Sequence, residues 1–200
     1  MYEDRYLVRA GIATNSNGTS RELGLVQGEN FKISGKIGSY IREVFREVVS
    51  NKPNSSGTAF EYICGSVFLN QGLAPFAIKA RLKNVATIEI DALFWDSRSS
   101  QPVIVQLTSS LRERYLLADL QAFRIKHSYP GAKVWLVCMS QDEVARYSDY
   151  KFESLDGLLF PDSPEFESMF ESLKSLPKSM LGAAALENNI DRGRVIVDLS

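Results

Sequence analysis

Apolar and polar residues recur along the chain with two periods, which predict helices and strands in a definite order. The segment 37–50, IGSYIREVFREVVS, has apolar residues at helical spacing with charged residues opposite, so we predict an amphipathic helix. The segment 58–72, TAFEYICGSVFLNQG, predicts a second helix that ends at its glycine. Before both helices, two modestly apolar runs around NSNG favour an N-terminal β-hairpin or an irregular arm.

Three extended runs rich in β-branched and aromatic residues follow the second helix. They read PFAIKARLKN, ATIEIDALFWD and QPVIVQLTSS, and they predict a three-stranded meander. Residues 111–131 then predict a helix whose apolar residues at helical spacing are Leu116, Leu117, Leu120 and Phe123. The next strand, AKVWLVCMS, is most easily reached by a right-handed crossover into a parallel position. The predicted fold class is therefore α/β, with a mixed central sheet flanked by helices.

The chain of 200 residues is long enough for one domain with a substantial core. We divide it into an N-terminal arm and amphipathic helix (1–57), a core (58–139), and a peripheral part of the same domain (140–200). The last part contains a short helix near QDEVARYS, a short strand at DGLLF, a helix at SPEFESMFESLKSL and a final apolar run, RVIVDLS. Because we find neither a membrane-length apolar run nor a secretory leader pattern, we expect a cytoplasmic protein without membrane contact.

Composition narrows the chemistry that the chain can perform. Cys64 and Cys138 lie in apolar segments without CxxC spacing, which favours two buried thiols over a zinc site. His127 is the single histidine, so most histidine-based catalysis is excluded. A formal net charge of −1 gives no general affinity for nucleic acid, although the middle of the chain is mildly basic and its end acidic. An active site would have to consist of carboxylates, amides, hydroxyls and bases.

Polar residues interrupt the second and third predicted strands near one another. Strict alternation places Thr87, Glu89, Asp91, Leu93 and Trp95 on one face of the second strand. If the turn DSRSSQP pairs the two strands antiparallel, Asp91 lies near Gln106 and Thr108, with all three side chains pointing together. A carboxylate, an amide oxygen and strand carbonyls are hard ligands that suit Mg²⁺. The same alternation is also typical of any half-solvated strand.

The order of these elements resembles the core of the PD-(D/E)XK nuclease superfamily, the fold of many restriction endonucleases. The resemblance covers roughly residues 58–139 and depends on spacing and context. Glu61 in GTAFEYICGSVF resembles the family's helix glutamate, and Asp91 in IEIDALF resembles its strand aspartate. Residues 106–108, Gln-Leu-Thr, take the place of its E-x-K. The resemblance implies an αβββαβ core and a site for Mg²⁺ or Mn²⁺ formed by Asp91, Gln106 and the carbonyl of Leu107, with help from Glu61.

Two departures from the family pattern bear on activity. The usual glutamate is Gln106, similar to variants in Mrr-like members, and the usual lysine is Thr108. A threonine in the place of the lysine is similar to the E-x-T-T-S motif of certain nicking and type IIS restriction enzymes, so neither change alone signals a dead site. Together they remove one negative charge that would bind metal and the positive charge that would face the phosphate. Thr108 would then position the attacking water.

The missing positive charge has candidate replacements, and each is also a possible solvated surface residue. They are Lys79 in the first strand and three residues of the following helix segment, Arg112, Arg114 and Lys126. As DNA ligands they would contact phosphates without reading sequence. For Glu61 and Glu89, solvent-exposed positions remain open alternatives, and Phe94 and Trp95 are more typical of core than of base stacking.

The leading hypothesis is a metal-dependent DNA endonuclease that hydrolyses phosphodiester bonds, with Glu61, Asp91, Gln106 and Thr108 as its catalytic residues. It would act on DNA as a homodimer or as a cleavage subunit with a recognition protein. The alternative is a nuclease-fold protein that no longer cleaves and serves as a DNA-binding or assembly subunit. A third hypothesis is an unrelated α/β domain in which one face of the sheet is partly polar.

Overall fold

The computed structural model describes residues 35–51, 56–73, 75–112, 114–147, 149–177 and 180–196, and the predicted N-terminal hairpin or arm lies outside them. The helices are α1 (Ile37–Asn51), α2 (Ser56–Asn70), α3 (Arg114–Ser128), α4 (Gln141–Arg146), α5 (Pro164–Lys174) and α6 (Met180–Asn189). The strands are β1 (Phe76–Leu82), β2 (Ile90–Asp96), β3 (Gln101–Thr108), β4 (Lys133–Cys138), β5 (Gly157–Leu159) and β6 (Ile190–Ile196). Among the described helices, none combines the length and the apolar character needed to cross a membrane.

The strands form one six-stranded mixed sheet in the order β5-β4-β3-β2-β1-β6. Strands β1, β2 and β3 form the predicted antiparallel meander, and β4 joins β3 in parallel after the crossover through α3. Strand β5 extends the parallel half, whereas β6 returns from the end of the chain to pair antiparallel with β1. The predicted αβββαβ core and mixed sheet are confirmed.

Two apolar layers cover the two faces of the sheet. The first contains α1, α2 and α5 and is rich in phenylalanine: Phe68 contacts Phe76, Phe94 and Phe170 with ring centroids 5.6–6.0 Å apart. The second contains α3 and the inner side of α6, with smaller aliphatic residues such as Ala118, Ala122 and Ile125. Cys64 is buried in the first layer and Cys138 in the second, both as free thiols, as predicted.

The helix α3 lies where it was predicted but faces the sheet with a different side. Its buried residues are Ala118, Ala122 and Ile125, while the four large apolar residues of the predicted stripe, Leu116, Leu117, Leu120 and Phe123, are 49–56% exposed. Small residues allow the helix to approach the sheet closely, and the larger ones then point outward. The helix α6 was not predicted, because its alanine-rich sequence MLGAAALENN has almost no amphipathic pattern.

Phe68 lies at the centre of the aromatic layer and is fully buried. We expect Phe68→Ala to lower the free energy of unfolding by about 3–5 kcal/mol, since the substitution removes apolar contacts and leaves a cavity. Phe123→Ala, at a residue 56% exposed, is the matched control and should change it by about 0.5 kcal/mol or less. Urea denaturation of both variants measures the difference, and equal losses would contradict the assignment of faces on α3.

Candidate active site

The main-chain pairing of β2 with β3 ends one residue before the polar positions. The last paired residues are Ala92 and Val105, and beyond them side chains take over the bonding between the two strands. The main-chain N–H of Leu107 donates to Asp91 Oδ2 over 2.9 Å, while the N–H of Asp91 donates to Gln106 Oε1 over 3.1 Å. Gln106 Nε2 also donates to the carbonyl of Glu89 over 3.1 Å. These contacts hold open a gap between the strands, which we call the β2–β3 opening.

Asp91 departs from the strict alternation that was predicted for its strand. Leu93 and Trp95 belong to the apolar layer of α3, as predicted for one face. Asp91 should share that face, but its carboxylate reaches toward α2, where it meets the same lysine as Glu61. The prediction that Asp91 shares a face with Leu93 and Trp95 was therefore wrong, because β2 loses its regular pairing to β3 at this point.

The ammonium group of Lys79, on β1, lies among three carboxylates next to Asp91. Its Nζ lies 2.6 Å from Glu61 Oε2, 3.2 Å from Asp91 Oδ1 and 3.6 Å from Glu89 Oε1. Helix α2 supplies Glu61, β1 supplies Lys79, and β2 with the turn before it supplies the other two acids. Glu89 is about half exposed, in line with the solvent-exposed alternative, although its carboxylate also reaches Lys79. We call these four residues the carboxylate–lysine cluster.

The backbone of β1 is irregular where it presents Lys79. Its φ is +47°, a value that residues other than glycine rarely adopt. Ala77 and Ala80 both face the apolar layer of α3 although they are three residues apart, so the strand changes face at this irregularity. The consequence is that Lys79 projects toward α2 and the acids.

Burial and neighbouring charges shift the pKa values of Glu61, Asp91 and Lys79. Burial, with the nearby charge of Asp91, raises the pKa of Glu61. Burial also raises the pKa of Asp91, although the N–H of Leu107 and the Lys79 ammonium partly offset it. Burial opposes the charge of Lys79 as well, but its hydrogen bond to Glu61 and the charge of Asp91 outweigh this and raise its pKa. Such clustered, perturbed groups are typical of functional sites.

The E-x-K positions contribute less directly than predicted. Both ends of the Gln106 amide bond main-chain groups: Oε1 accepts from the N–H of Asp91 and Nε2 donates to the carbonyl of Glu89. Thr108 does not join the cluster: its hydroxyl donates to the carbonyl of Ser110 over 2.7 Å, so the three predicted side chains do not all converge. Metal ligation by Gln106 and by the carbonyl of Leu107 stays a prediction.

The other basic candidates lie at two separate places. Arg112 and Arg114 are exposed at the start of α3, directly after β3. Lys126 lies on the last turn of the same helix, about 18 Å from Arg114 along the axis. There it forms an ion pair with Asp156 over 2.8 Å. Of the four predicted basic residues, Lys79 alone belongs to the carboxylate–lysine cluster.

Sequence reasoning missed the role of Glu143 beside the opening. This residue of α4 accepts hydrogen bonds from Ser110 Oγ over 3.0 Å and from the N–H of Leu111 over 2.5 Å. It thereby fixes the segment that leads from β3 to α3 and to Arg112. An isolated glutamate on a short polar helix carries no sequence signal for such a contact.

The donor set of the cluster suits a hard divalent cation, since it consists of three carboxylates. Lys79 contacts all three, and Arg81 lies 3.6 Å from Glu89 Oε2. In the present arrangement the Lys79 ammonium takes the place of that cation. Among the described residues, no group of three or more His, Cys, Asp or Glu side chains is spaced to hold a metal ion. The donor types suit a metal ion, but their present spacing does not. Lys79 has to release a carboxylate before that carboxylate can ligate an ion.

No protein-family model and no curated protein matches the chain. Among solved structures, the chain is similar to the restriction endonuclease PspGI in complex with its substrate DNA, with 14% identity, 76% of this chain and 67% of that chain covered, and a TM-score of 0.43. It is also similar to the type IIP restriction endonuclease Kpn2I, with 16% identity, 93% and 68% coverage, and a TM-score of 0.47. By its element order and strand order, the fold is restriction-endonuclease-like.

The raised pKa of Asp91 makes stability depend on pH in a defined direction. The folded state holds this proton more tightly than the unfolded state, so stability is full below the ordinary carboxylate pKa and falls as the pH rises through the raised one. We expect Asp91→Asn to raise the free energy of unfolding by about 1 kcal/mol near pH 8 and to leave it unchanged near pH 3. Urea denaturation at both pH values measures this difference.

Asp156 provides a control of opposite sign. Burial opposes its charge, but hydrogen bonds from Lys126 and from the N–H of Val134 outweigh burial and lower its pKa. Its contribution to stability is therefore present above the ordinary carboxylate pKa and lost as the pH falls through the lowered one. Asp156→Asn should destabilise the protein near pH 8 and have little effect near pH 3. If both variants shifted stability in the same direction near pH 8, the electrostatic reading of the cluster would be wrong.

Proposed function

We propose that the chain is a divalent-metal-dependent endodeoxyribonuclease that hydrolyses phosphodiester bonds in DNA. One observation supports this above the others: the Lys79 ammonium lies in direct contact with both Glu61 and Asp91. Phosphodiester hydrolysis needs acids that hold a metal and a cation that faces the phosphate. The cluster supplies both kinds of group at one place.

In this proposal Lys79 takes the part that a lysine at position 108 would otherwise play. Its carboxylate partners raise its pKa and keep it cationic, so it can stabilise negative charge on a phosphate oxygen. Thr108 has a smaller part, because its hydroxyl already donates to Ser110. Its oxygen can still accept a hydrogen bond from the attacking water.

Asp91 and Glu61 are the residues that would hold Mg²⁺ or Mn²⁺, with the carbonyl of Leu107 as a further oxygen. An ion bound there supplies an activated water and neutralises charge on the scissile phosphate. Gln106 acts on the same site by holding the main chain of Asp91 and Glu89, which fixes the direction of the Asp91 carboxylate. Glu61 and Glu89 supply part of the negative charge that a glutamate at position 106 would have provided.

DNA would approach the edge of the sheet at which β3 ends and α3 begins. Arg112 and Arg114 are exposed there and would contact phosphates on either side of the scissile bond. Lys126 is engaged by Asp156 at the other end of α3 and would add little. A second copy of the chain or a recognition subunit would provide cleavage of both strands or sequence choice.

The proposal predicts metal-dependent cleavage that depends on the cluster. With Mg²⁺ or Mn²⁺, the purified protein should nick or linearise plasmid DNA. Asp91→Ala, Lys79→Ala and Gln106→Ala should each lower the single-turnover rate by about 10²–10³-fold, since each removes a fixed charge or its support. The measurement is plasmid conversion over time at enzyme excess.

Lys133→Ala is the matched control. Lys133 is also an exposed lysine in an ion pair, but its partner is Asp156, and it lies opposite Val103, toward the end of β3 away from Thr108, so cleavage should be unchanged. If Lys133→Ala lost as much activity as Lys79→Ala, the carboxylate–lysine cluster could not be the site of cleavage. A wild type that binds DNA but cleaves none, with or without a partner subunit, would favour the non-catalytic alternative, in which DNA binding does not need Asp91.

A further inference from the structure

The strand β6 lies outside the αβββαβ core, yet it pairs with the part of β1 that carries Lys79. The two strands are in regular register from Phe76 to Ile78, opposite Ile196 to Arg194. The register then shifts between Ile78 and Arg81, and again between Arg81 and Leu82. The irregularity of β1 at Lys79 therefore coincides with an irregularity in its pairing to β6.

Gly193 occupies the position of β6 opposite this irregularity. Its φ is +136°, which L side chains rarely adopt. A Cβ atom at this residue would lie 2.7 Å from Ala80 Cα and 2.9 Å from Ala80 Cβ, closer than real Cβ contacts come. Ala80 is fully buried and follows Lys79 directly, so β1 cannot shift here without moving Lys79.

We propose that Gly193 is a positioning residue: by letting β6 lie against Ala80, it fixes the irregular turn of β1 that holds the Lys79 ammonium at Glu61 and Asp91. The proposal rests on the function proposed above, in which Lys79 supplies the positive charge. In this proposal the edge strand β6 determines the position of Lys79 in the site. Without the close approach, β1 would relax toward regular pairing, and the lysine would turn away from the acids.

The first test measures the surroundings of Lys79 without DNA or metal. In the full-length protein, acetylation of each lysine by a limiting acetylating reagent is followed by peptide mass spectrometry. Gly193→Ala should raise the labelling rate of Lys79 several-fold, while Lys133 and Lys174 stay unchanged. Glu61→Gln, which removes the negative charge 2.6 Å from the ammonium, should raise it in the same way.

Gly57→Ala is the matched control, since a Cβ there meets nothing within 4 Å and the labelling of Lys79 should stay at the wild-type rate. A folded Gly193→Ala variant with unchanged labelling of Lys79 would overturn the proposal. If all lysines label faster because the variant does not fold, the labelling is repeated in an osmolyte such as TMAO that restores the folded state. The same comparison of Lys79 with Lys133 then decides.

The second test separates positioning from general stability. Gly193→Ala should lower the single-turnover cleavage rate in the presence of Lys79 but cause no further loss in a Lys79→Ala background. A merely structural role would lower both rates by the same factor. Because labelling needs no catalysis, an inactive protein in which Gly193→Ala still frees Lys79 would sink the nuclease proposal alone. An active nuclease whose Lys79 labelling ignores Gly193 would sink this inference alone.

Discussion

The exchange of hydrogen bonds between Asp91 and residues 106–107 is the constraint on which the site depends. At this point a side chain of each strand replaces the main-chain partner that regular pairing would have supplied. Buried N–H groups need such partners, so the strands can separate here without leaving donors unsatisfied. Gln106 serves this purpose as well as glutamate would, and its second bond, to the carbonyl of Glu89, needs the N–H₂ that glutamate lacks. The departure from the family pattern thus has a structural reason in this chain.

The order of the elements was readable from the sequence, because each element from α1 to α5 has a clear period or clear terminating residues. The three-stranded meander, the crossover and the buried thiols followed from these signals alone. The proximity of Asp91 and Gln106 also followed, since a short turn joins their antiparallel strands. The spacing of apolar residues therefore predicted the order of the elements and the strands that carry the site.

The details of the cluster depend on irregularities that residue types do not reveal. Lys79 was one basic residue among four, and its place among the acids follows from a positive φ and a change of face in β1. The outward direction of the large apolar residues of α3 was also not readable from the sequence. Apolar spacing alone does not reveal which side of α3 packs against the sheet. Here the side with Ala118, Ala122 and Ile125 does, because small residues allow closer packing.

The pairing of β1 with β6 joins residues that are farther apart along the chain than those of any other pairing recorded in the described sheet. Loop closure over such a separation costs more entropy than closing the meander, so this pairing is expected to form late in folding. A chain that has already collapsed around its phenylalanine layer would hold its acids near one another before its lysine is in register. The arrangement of Lys79 among the acids would then be the last part of the site to form.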